Sequence, residues 1–406
     1  MTIDVKNIRN DFPLLQKLVY NKPYIYFDNA ATTYRPLQVL AAEEQNYRDF
    51  NGNPHRGAHY MSNQTTVALE AVRDKVKQLI NAPEREEIIF TRGATESINL
   101  VAYSFGELFI HEGDEVIVSE MEHHANIVPW QIVCERKKAS LKVLPFDDKG
   151  RLMVEKLPEL ISKRTRIIAI TMVSNVMGVI NPVEKVIEVA HQHLVPVLID
   201  AAQSIQHHCL DVQQLDCDFM VFSGHKMYGP TGVGCLYGKR NWLEQMPPFL
   251  GGGEMIETVR FEKTTFNVIP YKFEAGTPNF TQVIGLGAAI DYLNNIGIDQ
   301  IAAYEQELLE YAYSQLKTIP GIRFFGETDH QSGVISFLVG NIHHYDMGIF
   351  LDKMGIAVRT GQHCAEPVMD HFKIAGTVRA SFAFYNTKEE IDLFVGAVKK
   401  ISAMLG

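Results

Sequence analysis

The sequence has few cysteines, and their pattern does not suit a disulfide framework or a metal site. Five cysteines are scattered over 406 residues, and no two form a Cys-x-x-Cys pair. An odd number at irregular spacing argues for reduced thiols. Histidine pairs at 123–124, 207–208 and 343–344 are poor chelates, because adjacent side chains point in different directions. We therefore expect free thiols and no bound metal.

Long apolar runs and blocks of like charge are also missing. No apolar stretch approaches the ~20 residues of a membrane span, and the first residues lack the basic and apolar regions of a signal peptide. The 38 basic and 48 acidic residues give a net charge of −10, with no basic patch for nucleic acid or an anionic membrane. The sequence thus predicts a cytoplasmic globular protein that binds neither nucleic acid nor membrane.

What the sequence does contain is a long alternation of short apolar runs with helical patterns. This alternation is typical of βαβ units on a parallel sheet. Residues 254–280 are expected to be a loop, and a smaller α+β segment follows, with one strand at 357–359. The predicted strands of the sheet are 87–91, 115–119, 141–145, 166–171, 195–200 and 219–222, with 234–237 returning beside them.

The run Ser223-Gly224-His225-Lys226 offers a hydroxyl, an imidazole and an amine at the end of one predicted strand. An amine at the exit of a buried strand is partly desolvated, which lowers its pKa and makes it nucleophilic toward an aldehyde. Ser223 and His225 can hold an anion. Pyridoxal 5′-phosphate needs both an amine and an anion site. The alternative is that Lys226 is an ordinary surface lysine in a glycine turn. Other residues of the chain must distinguish between the two interpretations.

Polar residues at the ends of other strands fit the same cofactor. Thr95 begins a helix, where its hydroxyl and the backbone N–H groups form a phosphate site. Asp200 can keep a pyridine nitrogen protonated. Gln203 can donate a hydrogen bond to the phenolic oxygen, and His123 can stack on the ring. Because parallel sheets bind ligands at the carboxyl ends of their strands, we expect these side chains to converge.

Cys364 differs from the other cysteines because it lies in a polar loop beside an imidazole. Exposure and a neighbouring histidine favour the thiolate. Arg359 and Arg379 bracket this loop, and a guanidinium can hold a carboxylate through two parallel hydrogen bonds. The alternatives are a buried, inert thiol and arginines in surface ion pairs.

These stretches together resemble one enzyme family. The matching segments are Asp28-Asn29-Ala30-Ala31, Arg92-Gly93-Ala94-Thr95-Glu96, Glu122-His123-His124-Ala125-Asn126, Ser174-Asn175, Asp200-Ala201-Ala202-Gln203, Ser223-Gly224-His225-Lys226 and Arg359-Thr360-Gly361-Gln362-His363-Cys364-Ala365. They are similar to group II (SufS-type) cysteine desulfurases and selenocysteine lyases, which are fold-type I, class V aminotransferase-like enzymes. The resemblance runs from about residue 20 to the end of the chain. One departure is Gln362, where members often have histidine, and we interpret it as tuning around the thiol.

The resemblance implies an α/β fold in three parts. Residues 1–25 are expected to form an N-terminal arm that joins the small domain. Residues 26–295 are expected to form a large cofactor-binding domain with a mostly parallel seven-stranded sheet flanked by helices. Residues 296–406 are expected to form a small α+β domain that carries Cys364. A homodimer is also implied, in which Thr277 reaches the partner's cofactor phosphate.

The resemblance also implies a role for each site residue. Lys226, Cys364 and His123 are the catalytic residues. Asn175, Arg359 and Arg379 are implied to bind the substrate. The implied cofactor-binding residues are Thr95, Glu96, His123, Asn175, Asp200, Gln203, Ser223, His225, Lys226 and Thr277.

The implied reaction converts L-cysteine to L-alanine and leaves the sulfur on Cys364 as a persulfide. The sulfur then passes to an acceptor protein of the SUF iron–sulfur cluster assembly system. L-Selenocysteine is a second expected substrate. The alternatives are another pyridoxal phosphate-dependent elimination of the kynureninase type and a sulfur-relay scaffold without catalysis. The joint presence of Lys226, Asp200 and Cys364 argues against a scaffold.

Overall fold

The computed structural model describes residues 3–328 and 330–405. The strands are β1 Leu18–Val19, β2 Lys22–Pro23, β3 Ile25–Tyr26, β4 Ile88–Thr91, β5 Glu115–Ser119, β6 Ser140–Leu144, β7 Thr165–Thr171, β8 Val197–Asp200, β9 Phe219–Ser223, β10 Gly234–Gly238, β11 Ile256–Val259, β12 Thr264–Phe266, β13 Ile322–Phe325, β14 Val334–Val339, β15 Ile356–Ala357, β16 Arg359–Gly361 and β17 Thr377–Ser381. The helices are α1 Val5–Ile8, α2 Leu37–Asp49, α3 Tyr60–Leu79, α4 Ala94–Phe109, α5 Val128–Lys137, α6 Leu157–Leu160, α7 Val183–Gln192, α8 Val212–Leu215, α9 Arg240–Gln245, α10 Phe280–Ile296, α11 Ile298–Leu316, α12 His344–Lys353, α13 Glu366–Phe372 and α14 Lys388–Leu405.

A seven-stranded sheet with the order β4-β10-β9-β8-β7-β5-β6 carries the site. Only β10 runs antiparallel to its neighbours, and the other neighbouring pairs are parallel. Parallel neighbours require crossover connections, and helices supply most of them, as the alternating sequence pattern predicts. The prediction of an α/β fold with a mostly parallel seven-stranded sheet is confirmed.

The central strands are buried on both faces. In β7, Ile168 and Ile170 belong to one hydrophobic core, whereas Ile167 and Ala169 belong to the core on the opposite face. All four side chains are fully buried. A strand covered on both faces reads as a continuous apolar run because successive side chains point in opposite directions. Polar side chains are therefore confined to the strand ends, where the candidate site lies.

The last part of the chain builds a second sheet, antiparallel throughout, with the order β13-β14-β17-β16. It shares a separate hydrophobic core with α11, α12 and α14. In this sheet Arg359 of β16 stands directly opposite Arg379 of β17. The prediction of one strand at 357–359 is wrong, because the backbone divides there between β15 and β16. β15 leaves the sheet and pairs in parallel with β3 near the N-terminus.

The expectation of a loop over residues 254–280 is also wrong in part. β11 and β12 form an antiparallel hairpin there, and the hydroxyl groups of Thr258 and Thr265 hydrogen-bond across it at 2.7 Å. The sequence shows no alternation of apolar and polar residues over these strands. They pair with each other and are largely exposed, so neither strand needs an apolar face. The segment therefore contains a largely exposed hairpin.

The N-terminal residues lie against the C-terminal part of the chain. Arg9 forms an ion pair with Glu390 at 2.8 Å, and the Lys22 amine donates to the Lys353 carbonyl at 2.7 Å. The expected boundary between residues 25 and 26 falls inside β3, whose two residues both pair with β15. The three-part division of the chain stays a prediction, and these contacts are what would hold the arm to the small domain.

A buried ion pair ties α3 to the segment that leads to Thr277. The guanidinium of Arg73 donates two hydrogen bonds to the Glu274 carboxylate, at 2.7 and 2.9 Å, and both side chains are almost wholly buried. Replacing Glu274 by alanine should lower the free energy of unfolding by about 3–5 kcal/mol, because the buried Arg73 would keep only Glu70 as a carboxylate partner and the buried Phe90 N–H would lose its acceptor. Urea unfolding measures the change.

The matched control for this prediction is Asp291→Ala, which removes a carboxylate from an exposed pair with Lys75. Such exposed pairs contribute about 0–1 kcal/mol. Equal stability of the Glu274 and Asp291 variants would show that the buried pair does not stabilise the fold.

Candidate active site

A cavity of about 220 Å³ lies at the carboxyl edge of the large sheet, where Arg359 and Arg379 of the second sheet also line it. Glu96 and Thr277 lie outside it and line a neighbouring cavity. The other site residues predicted from the sequence all line the cavity: Thr95, His123, Asn175, Asp200, Gln203, Ser223, His225, Lys226, Arg359, Cys364 and Arg379. Residues separated by up to 284 positions in the chain, from Thr95 to Arg379, are thus brought to one place.

Lys226 ends a single 3-10 turn that follows directly from the carboxyl end of β9. The His225 carbonyl in this turn accepts hydrogen bonds from the Thr33 backbone N–H at 3.0 Å and from the Thr32 hydroxyl at 3.1 Å. Burial lowers the pKa of Lys226 to about 8, against the opposing effect of the Asp200 carboxylate. The fold therefore supplies a positioned amine whose neutral form is far more populated at neutral pH than that of an ordinary lysine.

Asp200 is the last residue of β8 and is only 5% exposed. One of its oxygens accepts the Ala202 backbone N–H at 2.9 Å. Burial raises its pKa, and the charge of Lys226 opposes the rise. Gln203 donates from its amide nitrogen to the Ala30 carbonyl at 2.7 Å, which leaves a second amide hydrogen for another acceptor. A buried carboxylate at a cavity wall is stabilised by a cation, so this wall suits a protonated ring nitrogen.

The start of α4 forms the anion-binding end of the cavity. The Ser223 hydroxyl accepts the backbone N–H of Ala94, the first residue of the helix, at 2.8 Å. Thr95 follows within the first turn, where backbone N–H groups have no partner inside the helix. β10 passes this point very closely, because a Cβ on Gly234 would lie 2.4 Å from the Gly93 Cα. Glycine at 234 is therefore required for this end of the site to form.

His123 lies between β5 and the 3-10 turn that precedes α5. Its Nδ1 accepts the Ala125 backbone N–H at 3.0 Å, so the neutral ring carries its proton on Nε2. Burial lowers the pKa of His123 to about 4, and the nearby charge of Lys226 acts in the same direction. The side chain is thus a neutral imidazole at pH 7, able to donate from Nε2.

Glu122 begins the family-like motif at residues 122–126, but no role for it was predicted from the sequence. Its carboxylate accepts hydrogen bonds from the Asn126 amide at 2.7 Å and the Thr171 backbone N–H at 2.8 Å. Burial raises the pKa of Glu122 to about 8. These bonds fix the residue next to His123 to the end of β7. The sequence offers one signal for Glu122, which is its position directly before His123, a predicted site residue.

The Cys364 loop has an unusual backbone. His363 and Cys364 both have φ of +56°, a left-handed conformation that costs free energy in residues other than glycine. The Asn175 amide donates to the His363 carbonyl at 2.8 Å, and the His124 backbone N–H donates to the Cys364 carbonyl at 2.7 Å. The His363 ring is buried and bonds the Thr377 hydroxyl at 2.9 Å. These contacts hold the loop against the large sheet while the thiol stays exposed.

Two arginines line the cavity together with Cys364. Arg379 is 2% exposed and donates from Nη1 to the Asn175 carbonyl at 2.9 Å, but its buried Nε has no hydrogen-bond partner among the described residues. A substrate carboxylate would provide the missing acceptor. Asp28 bridges both arginines, at 3.1 Å from Arg379 and 3.2 Å from Arg359. Asp28 lies in one of the family-like motifs, but nothing in the sequence indicates this contact.

Residues 25–394 match the family profile described as aminotransferase class-V. A cysteine desulfurase of Escherichia coli O7:K1 is 50% identical over 407 residues, covering 100% of both chains. The chain belongs to the aminotransferase class-V family. Its solved relatives include the S-sulfonic acid form of the Escherichia coli cysteine desulfurase CsdA, with a TM-score of 0.93, 42% identity and 100% coverage of both chains. Another is the apo cysteine desulfurase of Thermococcus onnurineus NA1, with a TM-score of 0.94, 37% identity and coverage of 100% and 99%.

The cofactor of this class-V enzyme is pyridoxal 5′-phosphate, and the donor set of the cavity fits it. The α4 N-terminus with Thr95 and Ser223 suits the phosphate, the buried Asp200 suits the ring nitrogen, and Lys226 suits the aldehyde. His225 lies at the same end of the cavity. Within residues 3–328 and 330–405 there is no group of three side chains arranged to hold a metal ion. Among the helices of that same part of the chain, none has the length and apolar character needed to cross a membrane.

The lowered pKa of Lys226 predicts how fast the cofactor-free chain takes up pyridoxal 5′-phosphate. Only a neutral amine attacks an aldehyde, so the second-order rate of uptake should rise with pH through about 8 and then level off. An ordinary lysine has a pKa of 10.5, and its rate would continue to rise well above pH 9. Stopped-flow absorbance measures the rate, with a lysine peptide as the reference for titration of the aldehyde itself. A profile parallel to that of the peptide would contradict the assignment of Lys226 as a desolvated amine.

Proposed function

We propose that this chain is a SufS-type group II cysteine desulfurase, which converts L-cysteine to L-alanine and transfers the sulfur to Cys364. The observation that carries the proposal is a single cavity lined by Lys226, Asp200, Arg379 and Cys364. An amine, a carboxylate, a carboxylate-binding guanidinium and an accessible thiol are the four groups that the reaction needs. The class-V family membership and the full-length similarity to cysteine desulfurases support it.

Each residue of the chain has a role in this proposal. Pyridoxal 5′-phosphate, when bound, withdraws electrons from the substrate Cα. Arg379 binds the α-carboxylate, and Asn175 holds the guanidinium in place through its carbonyl. Lys226, once its amine is free, removes the Cα proton as a neutral base. Asp200 would stabilise a protonated ring nitrogen of the cofactor, and His123, whose Nδ1 accepts the Ala125 N–H, could donate a proton from Nε2.

Cys364 receives the sulfur. Its thiolate attacks the sulfur of the substrate, so a sulfur–sulfur bond forms and the bond between the substrate sulfur and Cβ breaks. The electron pair of that bond stays with the carbon fragment, which takes up a proton and leaves as L-alanine. In total, one L-cysteine and one thiol give one L-alanine and one persulfide, with no external oxidant. The strained, anchored loop keeps the thiol at the cavity mouth for this attack.

The test of this function is turnover of L-cysteine by the purified holoenzyme. With a thiol reductant that releases the persulfide, we expect L-alanine and sulfide in a ratio of one to one. Pyruvate and ammonia in place of alanine would indicate a different elimination on the same scaffold. Absence of any product would support the scaffold alternative.

The destination of the sulfur and the second substrate are further parts of the proposal. The exposed thiol is accessible to an acceptor protein of the SUF iron–sulfur assembly system. L-Selenocysteine should also be accepted because its carbon–selenium bond is weaker than the carbon–sulfur bond that breaks in L-cysteine. The ratio of kcat/KM for the two amino acids decides the preference.

All five cysteines are free thiols, which fits the reducing conditions of the cytoplasm.

A homodimer is proposed because α2 and α3 present large apolar side chains to solvent. Tyr47, Tyr60 and Val67 are each more than half exposed. A second copy of the chain would cover these apolar side chains. Thr277 lies outside the cavity of its own chain, and we propose that it contacts the cofactor phosphate of the partner. Light scattering gives the oligomeric state, and a monomer that remains fully active would contradict both statements.

A further inference from the structure

We propose that the His124 side chain is a positioning residue for the sulfur-accepting thiol, because it caps the helix that follows Cys364. His124 begins the 3-10 turn after β5 of the large sheet, whereas Cys364 follows β16 of the second sheet. This inference rests on the proposed function and adds a residue to its sulfur-transfer step. His124 does not line the cavity, so it acts through the Cys364 loop and is not itself a catalytic residue.

Two hydrogen bonds join His124 to the chain around the thiol. Its backbone N–H donates to the Cys364 carbonyl at 2.7 Å, and its Nε2 accepts the Glu366 backbone N–H at 3.1 Å. The Glu366 carboxylate lies 3.9 Å from the same nitrogen, beyond hydrogen-bonding distance. The neutral ring therefore carries its proton on Nδ1, and the backbone of Glu366 is the donor that Nε2 meets.

The first turn of α13 depends on this contact. The first N–H groups of a helix have no partner inside it, and a polar side chain just before the helix usually accepts one of them. Ala365 occupies that position in α13 and has no polar side chain. Pro367 has no N–H, and the Val368 N–H donates to the Ala365 carbonyl at 3.1 Å. The cap for the Glu366 N–H is therefore supplied by His124, from a distant part of the chain.

The other anchors of the loop act before the thiol. The Asn175 amide binds the His363 carbonyl, and the His363 ring binds the Thr377 hydroxyl. Cys364 itself has φ of +56°, a conformation that persists only when its surroundings impose it. Without the His124 imidazole, only one backbone hydrogen bond from His124 would remain to hold the chain from Cys364 onward to the large sheet. We therefore expect the thiol to spend less time at the cavity.

The test compares His124→Asn with His124→Gln in the holoenzyme. Glutamine can place its side-chain oxygen near the position of Nε2, whereas the shorter asparagine places it near Nδ1 and does not reach the Glu366 N–H. The side chain is 35% exposed, so neither variant opens a cavity in the core, and both keep the backbone N–H.

In a single turnover with L-cysteine, the absorbance change of the bound cofactor reports substrate binding, and mass analysis of the Cys364 peptide reports persulfide formation. The rate of persulfide formation should fall about five- to tenfold in His124→Asn, because one hydrogen bond that favours the competent loop is lost. The rate of the absorbance change on substrate binding should stay the same. His124→Gln should restore persulfide formation to within about twofold of the parent.

Hydrogen exchange in residues 362–373 provides a readout that requires no turnover. Exchange should be faster by about the same factor in His124→Asn and close to the parent in His124→Gln. His343→Asn is the matched control. His343 caps α12 through its Nδ1, which accepts the Tyr345 N–H at 3.3 Å, and it lies outside the cavity. This variant should leave both the exchange and the rate of persulfide formation unchanged.

Three results would overturn the inference. One is equal slowing of substrate binding and persulfide formation in His124→Asn, which would leave the side chain with a structural role only. The others are unchanged exchange in residues 362–373 and a His124→Gln variant as slow as His124→Asn. If the parent formed no L-alanine, the proposed function would be contradicted, whereas the exchange measurement would still decide whether His124 anchors the loop.

Discussion

Cys364→Ala should abolish desulfuration of L-cysteine while leaving a folded protein that binds its cofactor. The thiol is the only group in the cavity that can receive sulfur among the described residues, so alanine formation should fall by about 10³-fold or more. The side chain is exposed, and its removal leaves no buried cavity. Alanine release under steady-state conditions measures the effect, and the visible absorbance of the bound cofactor reports that the site is intact.

Cys209→Ala is the matched control for this prediction. Cys209 is also exposed, but its sulfur lies beside Asp299 and outside the active-site cavity. This variant should keep the activity of the parent enzyme. If Cys364→Ala retained full alanine formation, another group would have to accept the sulfur, and the assignment of Cys364 would be wrong.

Lys226→Ala should cause the largest loss of activity of any single substitution. The residue is expected both to hold the cofactor covalently and to move the Cα proton, and general acid–base catalysis alone contributes about 10²–10⁴-fold. We expect turnover to fall by about 10⁴-fold or more. Treatment with borohydride, followed by mass analysis of the peptides, should attach the cofactor to Lys226 in the parent and to no peptide in the variant.

Two further variants separate the chemistry of this lysine from its charge. Lys226→Arg keeps a cation at the end of β9 but removes the nucleophilic amine, so it should be as inactive as the alanine variant. Lys75→Ala removes an exposed lysine that pairs with Asp291 and should have no effect on turnover. A borohydride label on a different lysine would place the cofactor elsewhere.

Much of the fold could be predicted from the sequence because its physical causes are local. Strands buried on both faces must be continuous apolar runs, and the polar residues that follow them must lie at one edge, as Asp200 and Ser223 do. The hairpin of β11 and β12 was missed because two exposed strands that pair only with each other leave no apolar periodicity. The split of the strand predicted at 357–359 was missed because the choice of β3 as a partner depends on a contact 331 positions away, between Ile25 and Ile356.

The site residues, like the elements of the fold, were only partly predictable from the sequence. Lys226, His123 and Cys364 were found because their side chains carry chemistry and their neighbours form recognisable motifs. Asp28 and Glu122 were not assigned, since their roles depend on contacts made after folding. Asp28 meets Arg359 and Arg379 only when the two ends of the chain come together.

The backbone strain at His363 and Cys364 was also beyond sequence reasoning. Both residues adopt left-handed φ values that sequence patterns associate with glycine. The loop holds this conformation because the Asn175 amide and the His124 backbone N–H, which follow the carboxyl ends of β7 and β5, donate to its carbonyls. The Cys364 loop is thereby held at the same cavity as the amine of Lys226, although the two residues follow strands of different sheets.

The most direct measurement is a single turnover of the holoenzyme with one equivalent of L-cysteine, followed by alkylation, digestion and mass analysis of all five cysteine-containing regions. The proposed reaction predicts one added sulfur atom on the peptide that carries Cys364, in the same amount as the L-alanine formed. Cys134, Cys209, Cys217 and Cys235 should carry no added sulfur. Stoichiometric alanine without added sulfur on the Cys364 peptide would contradict the proposal that this thiol accepts the sulfur.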